Sequence, residues 1–113
     1  MAKALLIATA SATSEADVAA YNQWYLGTHI PEVSAAMGCV TKVTRYAVVD
    51  PATGVESKVR VSAMYELDTD DVQAAAAALG GAIPTMTMTN LMDREIDPPV
   101  MQWLHVLPAA FQG

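Results

Sequence analysis

Tyr21, Tyr25 and His29 stand four residues apart, with Asn22 beside them and Val18 three residues before Tyr21. On a helix that spacing makes one stripe. A histidine takes or gives a proton near neutral pH. A tyrosine hydroxyl orients a carbonyl or stabilises developing enolate charge. If the stripe faces a sheet, as the company of Val18 implies, it lines a hollow between helix and sheet. There His29 is the candidate acid/base, with Tyr25 and Asn22 orienting the oxygen of a small molecule. The same residues also have a plain packing interpretation. Buried polar side chains usually just find partners, and His29, two residues before Pro31, can cap helix carbonyls.

Other chemistry-bearing residues are more scattered. Tyr65 shares the parity of Val59, Val61, Ala63 and Leu67, so its hydroxyl can reach the same hollow. His105 shares the parity of Met101 and Trp103; it either sits at a sheet face or seam, or pairs with His29 as acid and base. Arg45 and Tyr46 point to opposite faces, so only one reaches a cavity. Met86, Met88 and Met92 are core fillers or an adaptable apolar wall for a ligand. Cys39, the single cysteine, has no basic neighbour in sequence to activate a thiolate and reads as a small filler. His29 and Glu32 are three apart, but Pro31 interrupts their alignment. Two histidines make a thin ligand set, so no metal site is expected. Gly80-Gly81 lacks the Lys-Ser/Thr of a phosphate-binding loop, and no G-x-G-x-x-G occurs.

The elements that must position these residues follow from periodicity. Residues 3–10 are an apolar run suited to a buried strand. Lys3 and this run loosely mimic a signal peptide, but the run is short and reads as a strand. Ser14 and Asp17 resemble a capping box opening a helix from Glu15 to about Thr28. Pro31 should stop or kink it near His29, with a short helix over 31–37 ended by Gly38. Cys39–Val49 and Lys58–Leu67 read as strands joined through Asp50-Pro51-Ala52-Thr53-Gly54. Asp68 or Thr69 should cap a second helix running through Ala74–Ala78 to Gly80-Gly81. Residues 82–94 read as loop or irregular helix, and 100–106 as the last strand.

The order is β-α-β-β-α-β, the ferredoxin-like arrangement: an α+β fold with a four-stranded antiparallel sheet and two helices on one face. A chain of 113 residues makes this a single domain, residues 1–113. Hydrophobic residues at 53% and a net charge of −6 exclude intrinsic disorder and disfavour nucleic acid and anionic membrane surfaces. No stretch is long enough for a membrane span, and the single cysteine is compatible with a cytoplasmic protein. Two helices cover one sheet face only, yet the first and last strands are apolar on both parities. A homodimer stacking the uncovered faces is therefore expected.

Trp24-Tyr25-x-x-x-His29-Ile30-Pro31-Glu32, then Gly38 and Arg45-Tyr46, resembles the signature of EthD-like proteins of the dimeric α+β barrel superfamily. The resemblance covers residues 21–46. It implies a pocket role for Trp24, Tyr25 and His29, with His29 catalytic. The superfamily spans cyclases, isomerases, dehydratases, decarboxylases, cofactor-free monooxygenases and haem-binding members, so the fold alone does not choose a reaction. The expectation is a cofactor-independent lyase-, isomerase- or cyclase-type enzyme for a small, largely apolar carbonyl or aromatic compound. His29 and Tyr25 would be catalytic; Asn22, Trp24, Tyr21, Tyr65, Met88 and His105 would bind substrate. The alternatives are a non-catalytic protein that binds a small hydrophobe or haem, and a partner protein supporting another enzyme.

Overall fold

The computed structural model describes residues 2–107. Four strands, β1 (Ala4–Ser11), β2 (Val40–Val49), β3 (Glu56–Leu67) and β4 (Val100–His105), form one antiparallel sheet in the order β2-β3-β1-β4. β1 and β2 flank β3, the split βαβ arrangement expected from the element order. Paired residues share a face. Leu6 therefore lies with Tyr65 on one side and Trp103 on the other, and Val43 lies with Tyr65. This face carries the core: Ala4, Leu6, Ala63, Tyr65 and Leu67 are buried against Tyr21, Tyr25, Val33, Met37, Ala75 and Leu79 from the helices. The alternation Val59-Val61-Ala63-Tyr65-Leu67 points inward as its period of two requires.

The first helical run departs from expectation. Pro31 does not end it. A short turn at Glu15–Asp17 leads into α1 (Val18–Trp24), a single π turn (Tyr25–His29) and α2 (Ile30–Met37) without a break. In an α-helix Pro31 would leave the Gly27 carbonyl unbonded and press its ring against it. The π turn changes the register just before the proline: the Ile30 N–H bonds the Tyr25 carbonyl five residues back. The four-residue spacing of Tyr21, Tyr25, His29, Val33 and Met37 thereby stays on one side of the run. Gly38 stops it with φ 70° and an N–H bonded to the Ser34 carbonyl at 3.0 Å, a left-handed cap that favours glycine.

Three capping details differ from the sequence-based expectation. The Ser14 hydroxyl donates to the Asp17 side chain at 2.9 Å and caps no backbone group. Asp71 caps α3 (Val72–Ala82), accepting from the Ala74 N–H at 2.9 Å, in place of Asp68 or Thr69. Gly80 and Gly81 lie inside α3, which ends at Ala82 and passes into a short turn at Ile83–Thr85. Six good helix formers from Gln73 to Ala78 carry the helix through both glycines.

Candidate functional site

The π turn sets two rings side by side. His29 stacks on Trp24 with centroids 4.5 Å apart and planes 21° apart, and Tyr25 meets the imidazole edge-on at 5.0 Å. Trp24, Tyr25 and His29 line one wall of a cavity of about 190 Å³. Ala8 and Thr9 of β1 and Val100 and Met101 of β4 form its floor, and Met86, Met88 and Met92 the wall opposite. The lining is overwhelmingly apolar; the guanidinium of Arg94, bonded to the Thr89 carbonyl at 2.9 Å, supplies a positive charge.

The methionine wall is tied to the helix. The Trp24 indole N–H donates to the Thr87 carbonyl at 3.0 Å, and the Glu32 carboxylate accepts from the Thr87 N–H at 2.9 Å and its hydroxyl at 2.7 Å. These two bonds hold Glu32 below the ordinary carboxylate range. The Trp24 ring is thus held at one end by a hydrogen bond and along its face by contact with His29.

Burial sets the charge state of His29. It pushes the imidazole below its ordinary value, with Glu32 pulling weakly the other way. Nδ1 is buried and has no protein partner, so nothing at that nitrogen favours the imidazolium. At neutral pH the ring is the neutral base. Tyr25 is raised above the usual phenol range by burial, against smaller opposing effects of Tyr65 and Arg45, and stays protonated. A neutral imidazole beside a protonated phenol in a greasy hollow can remove a proton and hold the oxygen that receives the electrons.

The expected substrate-binding residues divide. Trp24 and Met88 line this cavity with Tyr25 and His29. Tyr21 and Asn22 line a different hollow, of about 230 Å³, on the β2–β3 side of α1. Tyr65 is buried beneath the helix, and burial raises its phenol strongly; its hydroxyl lies near enough to Tyr25 for the two to influence each other but forms no bond of good geometry. His105, whose face the sequence left open, lies on the helix-side face by its pairing with Ala4, but beyond the cavity. It is exposed, with Nδ1 3.2 Å from the Val106 carbonyl. It is therefore not placed to act with His29. Of Arg45 and Tyr46, Arg45 points toward the helix, packing over the Tyr25 ring at 4.7 Å.

Glu32, Thr87 and Arg94 belong to the site and were not singled out for it by sequence. Thr87 lies 55 residues from Glu32, and no local pattern announces such a contact. Among the described residues no group of three or more His, Cys, Asp or Glu side chains is placed to hold a metal ion, and no helix is long and apolar enough to cross a membrane.

No protein-family model matches the chain, and no curated protein does. Solved structures share its fold. A dimeric ferredoxin-like protein from an uncultured marine organism matches with a TM-score of 0.60 at 14% identity, over 97% of this chain and 100% of that one. An EthD-like protein of Ralstonia eutropha JMP134 matches with 0.52 at 17% identity, over 97% and 98%. A monooxygenase of Streptomyces coelicolor, solved in complex with nanaomycin D, matches with 0.51 at 13% identity, over 99% and 94%. The chain thus has the ferredoxin-like α+β fold of EthD-like proteins, a fold that carries small-molecule chemistry in at least one of these structures.

Proposed function

We propose that this protein is a cofactor-independent enzyme of the lyase, isomerase or cyclase type, acting on a small, largely apolar carbonyl or aromatic compound held beside His29. The observation that carries this reading is the His29 imidazole, stacked on Trp24 and lining an apolar cavity of about 190 Å³. An apolar cavity of about 150 Å³ takes up benzene, so this one suits a single ring or an acyclic compound of similar bulk. His29 accepts the proton from a carbon next to the carbonyl. The C–H electron pair moves into the carbon skeleton and charge develops on the carbonyl oxygen. Tyr25 donates a hydrogen bond to that oxygen, with the Arg94 cation nearby. The imidazolium then returns its proton, to the same skeleton in an isomerisation or cyclisation, or to a departing hydroxyl in a dehydration. The methionine wall adapts to the shape of the guest.

The second copy expected from the sequence belongs to this proposal. Leu5, Ile7, Met64 and Leu104 lie on the sheet face that carries no helix. Stacking that face on its twin in a homodimer would hide them, and a solved protein of the same fold, described as dimeric, supports a homodimer. Light scattering on the eluting protein should give twice the chain mass; a stable monomer at micromolar concentration contradicts the dimer.

The test of the chemistry needs no knowledge of the natural substrate. In deuterated buffer, proton NMR should show the protein accelerating loss of the exchangeable C–H signals next to the carbonyl in at least one of a panel of small cyclic and aryl ketones. His29→Gln should abolish the acceleration. Equal acceleration by the variant contradicts the assignment of His29.

A further inference from the structure

A second hollow lies on the other side of the Tyr21–Tyr25 ridge, enclosed by α1, β2 and β3, with a volume of about 230 Å³. It takes no part in the chemistry assigned to His29. Its polar residues are Arg45, Lys58, Asn22, Tyr21 and Tyr46, so both Arg45 and Tyr46 border it although only one was expected to reach a cavity, and no carboxylate lines it. That is unusual for this chain, which has six Lys and Arg against twelve Asp and Glu. The other two arginines are accounted for: Arg60 pairs with Asp97 at 3.1 Å, and Arg94 serves the Thr89 carbonyl. Arg45 is half-buried, yet among the described residues no carboxylate pairs with it. One of its nitrogens, Nη2, donates to the Asn22 side-chain oxygen at 2.9 Å, and one face lies on the Tyr25 ring. Its Nε is buried with no partner. A guanidinium withdrawn from water without a counter-charge is costly, and Arg presents two N–H groups on one edge to a planar carboxylate.

The geometry points to this hollow as a binding site for a small organic carboxylate. In the bound state the carboxylate takes the Nε–Nη2 edge of Arg45, displacing the Asn22 oxygen, whose amide turns to donate to it. Lys58, exposed at the mouth, adds a second positive charge that it shares with the Glu15 carboxylate 3.8 Å away. Val18, Val59 and Val61 give the organic part an apolar seat. The pairing of one planar fork with an apolar seat favours a carboxylate over a tetrahedral oxyanion.

The experiment follows the Arg45 Nε–H and Asn22 side-chain amide signals by nitrogen-edited NMR while sodium benzoate is added at constant ionic strength, with inorganic phosphate in a parallel titration. Benzoate should move both signals along a saturable curve; phosphate should move them less. Arg45→Gln should weaken benzoate binding at least about tenfold, the scale of losing a hydrogen bond to a charged group. Lys58→Ala, a surface change that leaves the core intact, should weaken it about two- to threefold, as an exposed charge does. His29→Gln should leave the curve unchanged, so the result stands apart from the fate of the enzyme proposal. Non-saturable shifts, tighter binding of phosphate than of benzoate, or full affinity in folded Arg45→Gln would each overturn the site.

Discussion

The hollow on the β1–β4 side of the first helical run holds a stacked imidazole among methionines. The hollow on the β2–β3 side holds a guanidinium and an amide among valines. Both use the same helix, and the Tyr25 ring stands between them, with His29 at one side and Arg45 over its face. What differs is the strand beneath. Across from Tyr65, β1 offers Leu6 and β2 offers Val43; one step along, β1 offers Ala8 and β2 offers Arg45. Ala8 leaves space and brings no polar group of its own, whereas Arg45 fills space with a charge. Burial without a partner therefore yields a neutral base on one side and an unpaired cation on the other. A histidine can shed its proton to escape the cost of burial; an arginine cannot.

The largest effect that can break this comparison is on turnover. His29→Gln should lower catalysed deuterium exchange by about 10²–10⁴-fold, the contribution of a positioned acid/base group. Asn22→Ala, in the neighbouring hollow, should change it by far less. Equal losses would mean that the two hollows are one site.

Next comes Tyr65, buried beneath the helix and lining neither hollow. Tyr65→Ala should cost about 3–5 kcal/mol in urea unfolding, as deletion of a buried aromatic ring does. Tyr65→Phe should change stability by less than about 1 kcal/mol, because the hydroxyl it removes has no well-formed partner. A large loss in the Phe variant would show that the phenol is held by a bond.

A smaller effect concerns the clamp on the methionine wall, which the β2–β3 hollow lacks. Glu32→Ala should speed amide hydrogen exchange at Thr87 several-fold while leaving the Arg45 Nε–H signal in place. Unchanged exchange at Thr87 would remove Glu32 from the wall.

The smallest effect is on stability against pH. His29 binds its proton less tightly folded than unfolded. Just below pH 6.5, the ordinary histidine value, the unfolded chain therefore takes up more protons than the folded one. Stability falls there as pH drops, and this contribution levels off below the folded-state value. Subtracting the urea midpoints of His29→Gln from those of the unaltered protein across pH 7 to 5 isolates it. A difference that grows in favour of the unaltered protein on acidification would reverse the sign.

Much of the scaffold was legible in sequence because strand alternation and turn chemistry are local. Val59 to Leu67 announced their faces, and Asp50 to Gly54 announced the hairpin. Continuity across Pro31 was not legible: a proline signals a stop, and only the bond from Ile30 to Tyr25 shows the π turn that accommodates it. Tyr25 and His29 could be read from spacing, since they lie within two turns of one helix; the pocket role of Trp24 came from the resemblance alone. The division of these three from Tyr21 and Asn22 could not be read, because it depends on which strand lies under each residue. His105 shows the same limit. Parity grouped it with Met101 and Trp103 but left its face open, and its distance from the cavity along β4 depends on register. The Glu32–Thr87 bonds and the unpaired Arg45 are tertiary facts with no local signature.

The most direct test of the central claim is an NMR titration of the His29 ring in the unaltered protein, assigned by comparison with His29→Gln. The account predicts a midpoint below 6.5, the value of an unperturbed histidine. A midpoint at or above that value would mean that the ring is solvated or paired as a cation, and the neutral base in an apolar cavity would not exist.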